Sequence, residues 1–355
     1  MKILKVFLFI SLFLLSACSS KAISKPYDLA ILDGQRVVTF SDSDGQLEQL
    51  EERKIFDKLL QLWTEGAVRM GDSLYNRTTE DHQFKTYLAK LNTQTFDVSQ
   101  VQADGNDSYT RTSDGDFIYS TAVFNDRTEF YKYDKNLKLV KKQSIKEEGK
   151  MNLTNDILVI GDNLYVLVGS IDINTGTNEN ELWRVSKDLT LEEKIDLDYT
   201  EGGYMRMVHV NGTLYITEAK EGVAENGEPN GGRHIVAFNL ESHGKTFIET
   251  EYSYPQYIRY DEKRNRLLVL HDPNYVPQCT WTFIELTTRK QSHLRFEDKE
   301  KTSVPPFYTE HDGSYYYLFD SQLIKYDPDT EQKTEYDLSE YGITQAHTVV
   351  FGKDE

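Results

Sequence analysis

The chain has 355 residues, with 58 Asp and Glu against 40 Lys and Arg, for a formal net charge of −18. So acidic a surface disfavours nucleic acid and anionic lipid headgroups as partners, and suits cations, basic peptides or simple solubility. With only two cysteines there is no disulfide framework, so stability must come from burying apolar surface, which a chain of this length can supply.

Residues 1–17 carry Lys2 and Lys5 and then run apolar from Val6 to Leu15, with Ser11 as the one polar break. This is too short for a membrane span of roughly 20 residues and has the build of a secretory signal. It ends in Leu15-Ser16-Ala17-Cys18, which resembles the bacterial lipobox. The resemblance implies cleavage before Cys18 and acylation of that cysteine, for instance by palmitate; the plainer alternative is an ordinary signal peptide with an incidental cysteine. Acyl chains contribute ~0.8 kcal/mol per buried CH₂, so a multiply acylated cysteine is a durable anchor. Loss of Lys2 and Lys5 takes the formal charge from −18 to about −20. Residues 18–26 then form the lipidated cysteine and a short tether, which keeps residues 27–355 close to a bacterial membrane. The expected address is the extracytoplasmic face of the cell membrane, or an outer membrane where the cell has one. With Cys18 acylated, Cys279 is the remaining thiol and reads as a small buried residue.

From Tyr27 onward the chain reads as one domain of strands. Tyr27 to Leu32 and Arg36 to Phe40 look like the second and third strands of a unit that lacks its first. The stretch 45–64 places Leu47, Leu50, Phe56, Leu59, Leu60 and Trp63 at helix-like spacing. The register of the repeat instead asks for an outer strand at Leu47 to Ile55, leaving room for a short helix across Ile55 to Trp63.

A tight turn feeding a strand then recurs: Met70-Gly71-Asp72-Ser73-Leu74-Tyr75, Asp114-Gly115-Asp116-Phe117-Ile118-Tyr119, Ile160-Gly161-Asp162-Asn163-Leu164-Tyr165, Asn211-Gly212-Thr213-Leu214-Tyr215 and Asp312-Gly313-Ser314-Tyr315-Tyr316-Tyr317. Arg264-Asn265-Arg266-Leu267 is a glycine-free copy and Phe351-Gly352-Lys353 a last one. Turn residues between aromatic and β-branched runs are hairpin chemistry. The period is about 47 residues, in the range of roughly 40–50 for propeller blades. A second marker keeps the same register, with an apolar-x-apolar strand after each turn: Leu88 to Leu91, Phe130 to Tyr133, Leu182 to Val185, Ile235 to Phe238, Phe283 to Leu286 and Leu323 to Tyr326, with Val37 to Phe40 near the start. Ala346 to Phe351 reads as an innermost strand whose following strands are those at Tyr27 and Arg36. The expected fold is therefore all-β: a single β-propeller of seven four-stranded blades, closed by a latch between the N- and C-terminal strands. Six or eight blades are the nearest miscounts.

Insertions at 170–181 and 220–233 join second and third strands of successive blades and should lie side by side. The first carries Asp172, Asn174, Asn178 and Glu181, oxygen ligands of the kind Ca²⁺ prefers, though without the spacing of a calcium loop. A solvated polar loop explains them as well, and no other cofactor is expected. Gly-x-Ser-x-Gly, His-Glu-x-x-His and Cys-x-x-Cys are absent. The channel lined by the first strand of each blade is the remaining place for a site. Arg69, Arg111, Arg206, Tyr257, Arg259, Tyr308 and His347 fall on or near those strands. Converging arginines would take a carboxylate or phosphate bidentately; pairing with neighbouring acids is the competing account.

With its repeats, closure and lipobox, the chain resembles a bacterial cell-surface lipoprotein carrying a propeller of the quinoprotein-like or YVTN-like kind. The resemblance implies a scaffold, and function belongs to the site on it. The expectation is a monomeric, non-enzymatic binding or scaffolding module for an envelope protein, peptide or glycan. The alternative is an extracellular lyase or hydrolase acting on a sugar or peptide in the channel.

Overall fold

The computed structural model describes residues 26–43, 45–56, 67–79, 86–102, 110–199, 202–223, 229–276, 278–296 and 307–352. Seven antiparallel sheets follow one another around a ring. Blade 1 joins both ends of the chain, in the order Ala346–Phe351, Leu29–Asp33, Arg36–Ser43 and Gln46–Lys54. The inner strands of blades 2 to 7 are Val68–Met70, Arg111–Ser113, Lys150–Ile160, Gly203–Val210, Pro255–Asp261 and Phe307–His311, and each is followed outward by three more. The seven-bladed, latched propeller expected from the repeat is the observed fold.

Each blade is covered on both faces, which explains why its strands are apolar at consecutive positions. In blade 1, Leu29 and Ile31 pack toward blade 7 while Ala30 and Leu32 pack toward blade 2. In blade 6, Leu267 and Val269 face blade 5 while Leu268 and Leu270 face blade 7. One apolar cluster fills each of the seven junctions. Burying one such side chain contributes roughly 1.5–3 kcal/mol, so the ring is held by these junctions.

The turns behave as their residues require. Ile160 pairs with Asn163, leaving Gly161 and Asp162 as the loop, and Gly161 takes φ +59°. At Asn211-Gly212 both residues have positive φ, which suits the right-handed twist of the flanking strands.

Closure depends on backbone contact. Leu29 pairs with Phe351 and Ala30 with Val350, and Gly352 N–H donates to Asp28 O at 2.9 Å. A Cβ on Gly352 would lie 1.9 Å from Tyr27 O, so only glycine fits.

Over 45–64 the strand reading holds as far as Lys54, since Gln46–Lys54 is the outer strand of blade 1. The helix considered across Ile55 to Trp63 falls mainly on residues 57–66, outside the described residues. The two insertions lengthen hairpins of blades 4 and 5, where Thr213–Val223 also pairs with a short strand, Pro229–Gly231. Tyr199 bridges one end of each: Asn180 Nδ2 donates to Tyr199 O at 2.8 Å, and Tyr199 hydroxyl donates to Lys220 O at 2.7 Å, while residues 224–228 of the second lie outside the described residues.

The junction of blades 6 and 7 also holds buried charge. Asp261, with no exposed side-chain surface, meets Arg264 and Arg266 at 3.3 Å each and accepts the Tyr315 hydroxyl. Arg264 reaches outward to Asp329 through Nε and Nη2, both at 2.7 Å.

Candidate functional site

A belt of polar residues on and beside the first and second strands ties neighbouring blades together. Thr121 Oγ1 bonds Thr110 Oγ1 at 2.8 Å and Thr154 Oγ1 at 2.7 Å, joining blades 3 and 4. Arg206 N–H donates to Thr217 Oγ1 at 3.0 Å within blade 5, and that hydroxyl lies 3.4 Å from Gln256 O of blade 6. The belt holds the channel wall in register, so side chains rising from it are pre-positioned.

Three guanidiniums gather on this belt. Arg111 of blade 3 is buried, and its Nη1 donates to Asn76 Oδ1 of blade 2. Burial, together with the positive charges of Arg77 and Arg206, pushes its ionisation down to about 9. Arg206 of blade 5 donates through Nη1 to Asn155 O of blade 4 and lies over the Tyr257 ring, 5.5 Å from its centroid. Arg259 of blade 6 joins the set through Asp156 of blade 4, a carboxyl on which both Arg206 and Arg259 act. Burial holds Asp156 above the usual carboxylate range against that pull. Oδ2 accepts Met207 N–H at 2.8 Å and Oδ1 accepts Ile157 N–H at 2.9 Å.

The structure therefore brings together Arg111, Arg206, Arg259 and Tyr257. Tyr308 of blade 7 lies within reach of the Arg259 charge, and burial raises its hydroxyl well above the ordinary phenol range. Its ring packs against Trp281 at 5.3 Å and Tyr317 at 5.5 Å, so much of Tyr308 serves the junction of blades 6 and 7. Arg69 is exposed and turns back toward Gly71 O at 3.4 Å, at the turn end of its strand. His347, on the closing strand of blade 1, has Nδ1 3.1 Å from Thr348 Oγ1, and burial pushes it down to about 4. It is neutral at physiological pH.

Arg77 and Asp156 were not foreseen. Arg77 reaches the set from a second strand rather than a first. Asp156 follows a bulge at Asn155, where the register shifts between Thr154 and Asp156. Polar residues alternate along the first half of this strand, at Lys150, Asn152 and Thr154, and the successive polar pair Asn155-Asp156 breaks that alternation, which is the readable signal.

The possible calcium ligands serve their own hairpin. Asp172 Oδ1 accepts Asn174 N–H at 2.8 Å and Thr175 N–H at 3.0 Å. Glu181 Oε2 accepts the Trp183 indole at 2.6 Å. Glu181 stands three positions along its strand from Asn178, a separation of about 10 Å at the rise of an extended chain. Among the described residues no group of three or more His, Cys, Asp or Glu is gathered as for a metal. Cys279 is buried, and its thiol is pushed up to about 12 by that burial. Residues 1–25, with Cys18, lie outside the described part.

No protein-family model matches the chain and no curated protein matches it in sequence. Solved structures do match in shape. A protein of Bacteroides fragilis NCTC 9343, provisionally named a 6-phosphogluconolactonase, superposes with a TM-score of 0.59 at 9% identity, over 93% of this chain and 99% of that one. One of the same provisional name from Bacteroides uniformis ATCC 8492 gives 0.58 at 10% identity, over 91% and 99%. The dihydro-heme d1 dehydrogenase NirN gives 0.51 at 10% identity, over 93% and 76%. At such identities the likeness is one of fold, and the chain is a seven-bladed β-propeller.

Proposed function

We propose that the protein is a lipid-anchored, extracytoplasmic binding module, non-enzymatic, whose channel holds a ligand bearing a carboxylate or phosphate. One observation supports this reading: in a chain of net charge −18, Arg77 and Arg206 act on Arg111, and Arg206 shares the Asp156 carboxyl with Arg259, so that Arg206 links guanidiniums from four different blades. Guanidiniums converging from separate rigid elements suit a planar or tetrahedral oxyanion, which they bind by paired charge-assisted hydrogen bonds. The Tyr257 face beneath Arg206 offers an apolar surface for the rest of the ligand. Titration with inorganic phosphate and with citrate should show saturable binding that Arg206→Gln weakens at least tenfold while melting stays cooperative. Equal binding by the variant would exclude the channel.

The address rests on Leu15-Ser16-Ala17-Cys18. The seven residues between Cys18 and Pro26 reach at most ~25 Å when extended, so the propeller would ride close to the bilayer. Cys18→Ala should leave the chain unacylated in a fatty-acid labelling experiment; label retained by that variant would disprove the lipid assignment. A second reading, a lyase or hydrolase acting on a sugar or peptide, draws on His347, an imidazole on the closing strand that burial leaves neutral but weakly basic, so a ligand's negative charge beside it would have to raise its basicity. It requires turnover that His347→Gln abolishes.

A further inference from the structure

An aromatic platform stands on the face of the ring remote from Tyr27. The strand Arg266–His271 runs from the Asn265 turn to the opposite face and leads there into the turn Asp272 to Val276. Tyr27 enters at the Asn265 face, since its neighbour Asp28 meets Gly352 just beyond the end of an inner strand. Tyr275 is 47% exposed, and its ring lies flat on that of Tyr254, with centroids 4.1 Å apart and planes 10° apart. Tyr254 is wedged in turn against the blade 5 hairpin. A Cβ on Gly231 would meet its ring at 2.4 Å, so only glycine admits it.

The platform is held rigidly. Asp272 N–H donates to Tyr254 O at 2.9 Å and Tyr254 N–H to Gly232 O at 2.8 Å, while Tyr275 and Val276 N–H both donate to Asp272 O, at 3.1 and 2.8 Å. Tyr254 takes φ +55°, a conformation costly for an aromatic residue, which persists only where the surrounding contacts over-determine it. The Tyr199–Tyr204 stack is a contrast, because the fold occupies it: Tyr204 is buried and the Tyr199 hydroxyl donates to Lys220 O. Tyr275 has Tyr254 as its one ring partner among the described residues, and its hydroxyl makes no hydrogen bond there. The same turn has polar capacity to spare. Asp272 Oδ1 accepts both Asn274 N–H and Asn274 Nδ2–H at 2.9 Å, and Oδ2 makes no hydrogen bond among the described residues.

We propose that Tyr275 and Asp272 form a binding site for a neutral sugar, the C–H face of a pyranose ring stacking on Tyr275 while its hydroxyls donate to Asp272 Oδ2. The combination of chemistries selects the class. A pyranose is apolar on one face and rimmed by hydroxyls, so it matches an exposed aromatic ring bordered by an acceptor. A carboxylate beside that ring, in a chain of net charge −18, disfavours anionic sugars and acidic peptides. Rigidity favours binding, since no side chain has to be ordered to receive the ligand. The site lies on the connection between second and third strands, outside the inner strands that line the channel, and does not depend on the channel being a binding site.

The test uses the full chain in detergent, titrated by calorimetry with cellohexaose, maltohexaose and N-acetylchitohexaose, neutral hexasaccharides that differ in linkage and substituent. At least one should bind saturably. Tyr275→Ala, at an exposed position, should melt like the wild type and weaken that sugar at least about tenfold. Tyr275→Phe should stay within about threefold, because the ring carries the stacking. Asp272→Asn keeps an acceptor for Asn274 N–H and should weaken the sugar about threefold to tenfold. Inorganic phosphate, the channel probe, should not displace it. Binding by none of the three sugars, binding left unchanged by Tyr275→Ala or by Asp272→Asn, or displacement by phosphate overturns the proposal. So does binding of decaproline, an extended peptide, where the sugars do not bind, for the platform is then a peptide seat.

Discussion

His271 ends the second strand of blade 6 with no exposed surface. Its Nδ1–H donates to Ser253 O at 2.8 Å, which leaves Nε2 to accept the Thr282 hydroxyl at 2.8 Å. Burial, with the nearby His293, pushes its ionisation from 6.5 down to about 4. A depressed histidine is protonated first in the unfolded chain. Its contribution is therefore complete above pH 6.5 and is lost as pH falls toward 4, at about 1.4 kcal/mol per unit and about 3 kcal/mol in all. His347, also held down to about 4, adds a loss of the same sign over the same window. Asp156 and Glu310, raised by burial, act in the opposite sense as pH falls, whereas Glu129, held at about 2, gives up its contribution only below about 4.5. Urea midpoints measured at pH 7.5, 6.0 and 4.5 should fall with acid in the wild type. His271→Asn should start less stable at pH 7.5 and fall less steeply, by about 1.4 kcal/mol per unit. Identical slopes for the two proteins would refute the assignment of this loss to His271.

Two further substitutions test the ring. Gly352→Ala drives a Cβ against Tyr27 O and should cost about 1–3 kcal/mol, read as a lowered urea midpoint; an unchanged midpoint would mean that the closing contact is slack. Asp261→Asn leaves the Arg264 and Arg266 guanidiniums at the junction of blades 6 and 7 without their shared carboxylate, and should cost about 3–5 kcal/mol. Arg264→Ala removes a charge from the same network while leaving Arg266 to Asp261, so its thermal melt should lie above that of Asp261→Asn.

The scaffold was legible because its determinants are local and repeated. Gly161, Asn211 and Gly313 sit where a two-residue loop demands positive φ, and the apolar runs between them alternate between two neighbouring junctions, as Leu267 to Leu270 do. Even closure could be read, since Ala346 to Phe351 has the pattern of an inner strand and Tyr27 to Phe40 that of second and third strands lacking a first. The channel was legible only in part. Strand position identified Arg111, Arg206 and Arg259 as facing inward, but it could not foresee that Arg69, so near its turn, would fold back on Gly71 O. Arg77 enters from a second strand, and Asp156 owes its direction to a bulge, which shifts every later side chain by one place. Such deviations are set by contacts between blades that are distant in sequence.

The pairing of Leu29 with Phe351 bears on how the protein is made. Five consecutive buried residues, Leu29 to Asp33, form a strand whose inner partner, Ala346–Phe351, is made more than 300 residues later. Until Ala346–Phe351 arrives, that strand is an open, apolar sheet edge, a template for pairing with any other extended chain. Its partner lies at the opposite extreme of the sequence, so ring closure carries the largest loop entropy of any step and should come late. A chain stalled before that segment would thus keep the edge open however much of the ring it had built, and would depend on chaperones that shield that one strand.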